Sequence, residues 1–143
     1  MADLSITQAQ VLYVSGPREN VTAGAAILPG QSVYERAADH KWLLAQADGT
    51  AEEAGVGTRL GISLNESDAD GQPLQVALAG ARVTLGAGAA PVASQIYVVS
   101  GTAGGIGLAS DIVTSGHRRS VLALGAGTNA VDLICRAPNA AIP

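Results

Sequence analysis

Cys135, His40 and His117 have the widest chemical reach of any residues in this chain, and their small number bounds what the chain can do. The sequence holds one Cys and two widely separated His. A structural zinc site takes about four such ligands, so no zinc pattern exists. A single Cys also excludes an internal disulfide. Cys135 falls in the last apolar run, where a small buried hydrophobe is its expected role. A nucleophilic thiolate needs a histidine partner, and nothing in the spacing singles one out. Asp39-His40 has the composition of an acid–base pair, but it falls in an expected turn and reads as a solvated turn pair. His117-Arg118-Arg119 is a small basic cluster, also in a turn. It reads as a solvated loop, with contact to an acidic partner surface as the alternative.

Two further segments imitate binding motifs. Gly125-Ala126-Gly127-Thr128-Asn129-Ala130 follows an expected strand and fits a loose dinucleotide pattern. That pattern works only where a helix N-terminus and a second parallel strand follow. The few residues after it read as one strand and a tail, so the segment is a turn. Glu66-Ser67-Asp68-Ala69-Asp70-Gly71 resembles the start of a calcium loop, but Ala77 stands where the bidentate acid belongs. A polar hairpin loop is the expected structure. Asn20-Val21-Thr22 and Asn65-Glu66-Ser67 fit the glycosylation sequon, which has meaning only on a secretory route. The first residues show no basic region and no apolar stretch of the kind that directs secretion. The expectation is a chain made in a reducing cytoplasm, with no catalytic, cofactor or metal residues and no enzymatic activity.

The elements that would carry these residues are short. The 143 residues suit a single domain. They include 18 Gly, no Phe, one Trp and three Tyr, so the core must come from Val, Ile and Leu. Only 14% of residues are charged, against about 25% in an ordinary domain. A formal net charge of −4 argues against a nucleic-acid partner, which would need a basic face. No apolar run approaches the length of a membrane span. Between the frequent glycines lie apolar runs of strand length at 60–64, 74–78, 82–85, 96–99, 121–124 and 131–134. Leu74, Val76 and Leu78 alternate with Gln75 and Ala77, and Val83 and Leu85 with Arg82 and Thr84. That is the period-2 pattern of strands with one buried face.

The window 31–48 has no Gly or Pro. Ser32 and Glu35 have capping-box spacing, and the window alone favours a helix. An internal comparison reverses this. Val33-Tyr34, Leu44-Ala45 and Asp48 match Ile96-Tyr97, Leu108-Ala109 and Asp111, with the same Tyr-to-Asp spacing. Thr22-Ala23-Gly24-Ala25 matches Thr84-Leu85-Gly86-Ala87, and Leu60-Gly61-Ile62 matches Leu122-Ala123-Leu124. Leu74-Gln75-Val76 then matches Val131-Asp132-Leu133. The second copy carries Gly101, Gly104, Gly105 and Gly107, which forbid a helix and mark a hairpin. The first copy is therefore expected to be a hairpin too, with strands at 32–36 and 42–47 and its turn at Ala37-Ala38-Asp39-His40. The predicted fold is all-β: a single-domain sandwich or barrel built from two similar β units, about 21–80 and 81–137, within a β domain of 21–143. Residues 1–20 form an N-terminal strand or an arm that pairs with a neighbour. Val33, Tyr34, Leu44, Ile62, Val76, Tyr97, Leu108, Leu124 and Leu133 occupy matching apolar positions and are the expected core.

Several stretches carry a family likeness. They are Thr22-Ala23-Gly24, Pro29-Gly30-Gln31-Ser32-Val33-Tyr34, Lys41-Trp42 with Leu44-Ala45 and Ala47-Asp48, Gly61-Ile62-Ser63-Leu64, Asp70-Gly71-Gln72-Pro73-Leu74, and Tyr97-Val98-Val99-Ser100-Gly101-Thr102-Ala103-Gly104-Gly105-Ile106. With the opening Met1-Ala2-Asp3-Leu4-Ser5-Ile6-Thr7, the chain resembles the capsid decoration, or cement, proteins of tailed bacteriophages. The likeness runs to about Leu133. Arg18-Glu19-Asn20 and His117-Arg118-Arg119 depart from it in being more charged. The resemblance implies a β-rich virion structural protein on the outside of the capsid. Its partner would be the major capsid protein, and it would be a homo-oligomer, with a trimer favoured by the local symmetry axes of a capsid. It implies no catalytic residue. A thin core of small side chains fits such a protein, because oligomerisation can supply what the core lacks. The alternative is a β-sandwich module for a small ligand or glycan on a phage fibre or surface protein. That role would call on exposed aromatics from Tyr13, Tyr34, Trp42 and Tyr97.

Overall fold

The computed structural model describes residues 3–86, 88–89, 91–109, 116–127 and 129–136. Ala87, Asp111 and Thr128 of the compared motifs lie outside them. Among the described residues eleven strands run in chain order: β1 Leu12–Ser15, β2 Arg18–Thr22, β3 Ser32–Glu35, β4 Trp42–Leu44, β5 Leu60–Ser63, β6 Pro73–Ala77, β7 Arg82–Thr84, β8 Ile96–Val99, β9 Ile106–Leu108, β10 Val121–Gly127 and β11 Ala130–Arg136. They form two antiparallel sheets, making an all-β sandwich. The six-stranded sheet has the order β1-β7-β11-β10-β8-β9, and the five-stranded sheet β2-β6-β5-β3-β4. Without β1, the first sheet repeats the order of the second strand for strand, each built from one half of the chain.

The hairpin reading of 31–48 holds. Val33 pairs with Leu44, Tyr34 with Leu43 and Glu35 with Trp42. The second hairpin pairs Tyr97 with Leu108 and Val99 with Ile106. Ser32 caps no helix; its hydroxyl donates to the Gly105 carbonyl at 2.9 Å. A capping-box exchange does occur elsewhere, in the turns after β4. There the Glu53 N–H donates to Thr50 Oγ1 at 3.2 Å and the Thr50 N–H to Glu53 Oε1 at 3.3 Å.

The core lies between the sheets. Tyr34, Leu60, Ile62 and Ala77 of the five-stranded sheet meet Val83, Tyr97, Val99, Leu122, Ala123, Val131 and Leu133 of the other. A second cluster covers the far face of the five-stranded sheet, where Ala23 and Ile27 lie over Val33, Trp42, Leu74 and Val76. Of the expected core residues, Val33, Tyr34, Ile62, Val76, Tyr97 and Leu133 are buried. Leu44, Leu108 and Leu124 are only half-buried. Leu44 packs against the second cluster and Leu108 against the first. Leu124 faces outward, and Leu122 takes the buried position instead.

The N-terminal segment divides. Ile6 packs on the core, Gln8–Gln10 form a single 3-10 turn, and β1 adds to the edge of the six-stranded sheet beside β7. The chain then crosses to the other sheet through Gly16 (φ +93°), where an added Cβ would stand 2.6 Å from the Ala81 Cα. The boundary placed at residue 20 falls inside β2.

Candidate functional site

Asp39 fastens the β3–β4 turn, accepting from Arg36 Nε at 2.9 Å, from Arg36 Nη2 at 2.6 Å and from the Lys41 N–H at 3.2 Å. The hydrogen-bonded Arg36 guanidinium holds its carboxyl down at about 2. His40 takes the left-handed conformation in the same turn, φ 60°, and its Nδ1 lies 3.7 Å from Glu35 Oε2. The pair named in the sequence is thus split: Asp39 serves Arg36, while His40 faces Glu35. His117 lies 3.8 Å from Asp48 Oδ2, and the Arg118 N–H donates to the Ala47 carbonyl at 3.0 Å. The basic cluster is docked on the loop after β4.

Glu66 to Gly71 form the loop between β5 and β6. A hydrogen bond with Asp68 raises the Glu66 carboxyl above its ordinary range. Asp70 binds Lys41 Nζ at 2.8 Å, and the Asp68 N–H donates to Gln72 Oε1 at 2.6 Å. Glu66 and Asp68 thus face each other, while Asp70 is engaged by Lys41. Among the described residues no group of three or more His, Cys, Asp or Glu is placed to hold a metal. Gly125–Gly127 close β10 and Ala130 opens β11, with Asn129 just before it at φ 63°. Asn20 Oδ1 accepts from Gln75 Nε2 at 3.2 Å, and Asn65 Oδ1 from the Gln75 N–H at 2.6 Å.

Cys135 lies near the end of β11 with φ 57°, its Sγ 3.8 Å from the Leu122 carbonyl. It lines two shallow grooves at one end of the sandwich. One, of about 330 Å³, is walled by Pro17, Arg59, Leu60 and Leu78; the other, of about 440 Å³, by Glu35, His40 and Arg59. Burial pushes the Cys135 thiol up to about 12, so the reactive thiolate is scarce at neutral pH. A thiol reagent at about pH 8 is therefore expected to label the native protein slowly and the unfolded protein fast. Rapid stoichiometric labelling of the folded chain would show that Cys135 is open and activated.

The charged centre that sequence reasoning missed is Arg59. Its Nε and Nη2 donate to the two Glu35 oxygens at 3.1 and 3.0 Å, and its Nη1 to Glu19 Oε2 at 2.6 Å. Its guanidinium lies 5.3 Å from the Trp42 ring centre. The hydrogen bonds from Arg59 hold Glu35 below the usual carboxylate range and raise Arg59 itself. The start of β5 is thereby tied to β2 and β3. This is a fastening.

The aromatic rings are likewise committed. Trp42, Tyr34 and Tyr97 are buried. Tyr13 is half-buried under Arg18, whose guanidinium carbon lies 4.2 Å from the ring centre. What the molecule does present is apolar surface on the six-stranded sheet. Arg82 and Asp132 face outward, since Val83 and Val131 beside them enter the core. By strand alternation, Leu12, Ile96, Leu124 and Ile134 share that outer face. Leu12 is 62% exposed, Ile96 46% and Ile134 39%, with Val14 of β1 at 51% and Val92 of the β7–β8 connection at 58%. The Arg82–Asp132 ion pair, Nε to Oδ1 at 2.7 Å, crosses the middle of the face.

No family model and no curated protein matches the sequence.

Proposed function

We propose that the chain is a virion structural protein that binds the outside of a major capsid protein lattice and stabilises the head. The observation that carries this reading is the outer face of the six-stranded sheet, where large apolar side chains stand in water around one ion pair. Apolar side chains grouped around polar groups suit contact with another protein surface. The residues that could have done chemistry are engaged in holding turns and strands. The resemblance supplies the partner, the position on the virion surface and a homo-oligomeric state, with a trimer favoured. Production would be in the host bacterial cytoplasm.

The glycan-binding alternative is weaker on one specific count. Sugar recognition draws on open aromatic faces, and among the four large aromatic side chains three are buried and the fourth lies under Arg18.

The test is co-sedimentation of the purified chain with capsid particles lacking it. Saturable binding in a fixed ratio to the capsid protein, with a rise in the temperature at which the particles fall apart, is the expected result. Failure to sediment with particles at any concentration overturns the proposal.

A further inference from the structure

Among the described residues the sandwich has four edge strands, and three of them are guarded. At β9 the Leu4 N–H donates to the Ile106 carbonyl at 2.7 Å and Asp3 bridges Gly107. At β4 the Gly24 N–H donates to the Trp42 carbonyl at 2.8 Å and Ala23 bridges Trp42. β2 carries Arg18 and Glu19, and charge on an edge opposes pairing with another chain. β1 reads Leu12-Tyr13-Val14-Ser15. It has neither charge nor proline, and no charged residue lies between Asp3 and Arg18. Its one irregularity is a register shift between Tyr13 and Ser15. The two apolar side chains that leave this strand, Leu12 and Val14, are both more than half exposed.

We infer that β1 is a strand-pairing edge whose partner is β1 of a second copy, joined antiparallel across a two-fold axis. An unpaired edge offers a row of backbone donors and acceptors, so its complement is another extended strand. The charge pattern selects the copy. Pairing across a two-fold axis lays the strand against its own reversed copy, so residue i meets residue j and j meets i, and a strand without charge meets no like charge in any register. β1 meets that condition in every register, whereas the neighbouring β2 brings Arg18 or Glu19 against its own kind in some. Pairing also brings Leu12 and Val14 of both copies together and shields them from water. The six-stranded sheets then continue into one another through the shared edge. A pair, rather than the trimer favoured by the resemblance, follows from this edge. A four-residue strand buries little surface, so association is concentration-dependent.

Sedimentation of the full chain from about 5 to 200 µM tests this. The mass is expected to rise from one chain to two. Leu12→Lys/Val14→Lys should remain a single chain throughout, with an unchanged circular dichroism spectrum because both side chains stand in solvent. Val14→Lys and Val14→Glu should each remain single alone and pair when mixed, since opposite charges then meet across the axis. A wild type that stays single at the highest concentration, a limiting mass of three chains, lysine variants that pair as the wild type does, or a mixture that fails to pair each overturns the inference. A chain that pairs through β1 yet ignores capsid particles leaves this inference standing and removes the proposed function.

Discussion

Trp42→Ala is expected to destabilise the fold by about 3–5 kcal/mol. In a domain of this size that lowers the melting temperature by about 6–20 °C. Trp42 is the only Trp and is fully buried. It lies on the far face of the five-stranded sheet with Ala23, Ile27, Val33, Leu74 and Val76. Gly61 on β5 lies beside it: a Cβ there would touch Trp42 Cζ3 at an ordinary 3.6 Å but would stand 2.5 Å from the Ala77 carbonyl. With rigid strands below and the Ala23–Ile27 segment above, the space left by the indole cannot close without moving backbone, which is the condition for a large cavity cost. Packing, not hydrogen bonding, sets the loss. Among the described residues the buried Trp42 Nε1 finds no acceptor, so Trp42→Phe removes an unpaired donor and is expected to cost clearly less. Thermal melts followed by far-UV circular dichroism separate the two variants. An alanine variant within about 1 kcal/mol of wild type would show that this second cluster adds little to stability.

The strands legible in the sequence were those with apolar β-branched runs bounded by Gly. β5 through β8 fall within a residue or so of the runs that mark them, and β10 and β11 extend beyond theirs. The first hairpin was legible only through its second copy, because 31–48 has capping-box spacing and no breaker. β2 was not legible. Arg18-Glu19-Asn20-Val21-Thr22 has no apolar run, and it becomes a strand because β6 offers an edge to pair with. The covered outer face of the five-stranded sheet was also hidden. Val33, Trp42, Leu74 and Val76 alternate like any strand residues, and nothing local says that Ile27 will fold over them. Of the candidate residues, Asp39 and His40 were readable as a turn because both their chain positions and their partners are local. Arg59 was not, since Glu19 and Glu35 lie on other strands and reach it only through the sheet.

Leu122→Ala is expected to destabilise by about 2–5 kcal/mol, and Leu124→Ala by about 1 kcal/mol or less. The internal match of Leu60-Gly61-Ile62 with Leu122-Ala123-Leu124 puts Leu124 in the core, opposite to what the strand does. In β5 the parity is simple, and Leu60 and Ile62 both face inward. In β10 the register shifts between Val121 and Ala123 on both sides: Val121 pairs with Val98 and Arg136, whereas Ala123 pairs with Tyr97 and Leu133. A bulge inserts one residue and reverses the alternation beyond it. Leu122 and Ala123 consequently both enter the core, and Leu124 turns out between Ile96 and Asp132. Truncating Leu122 opens a hole among Tyr97, Val99 and Leu133 that the sheets cannot collapse to fill. Truncating Leu124 removes surface that water already reaches. Urea titrations with a common slope measure the difference as a shift in midpoint. A larger loss at Leu124 than at Leu122 would place β10 in the unbulged register of β5.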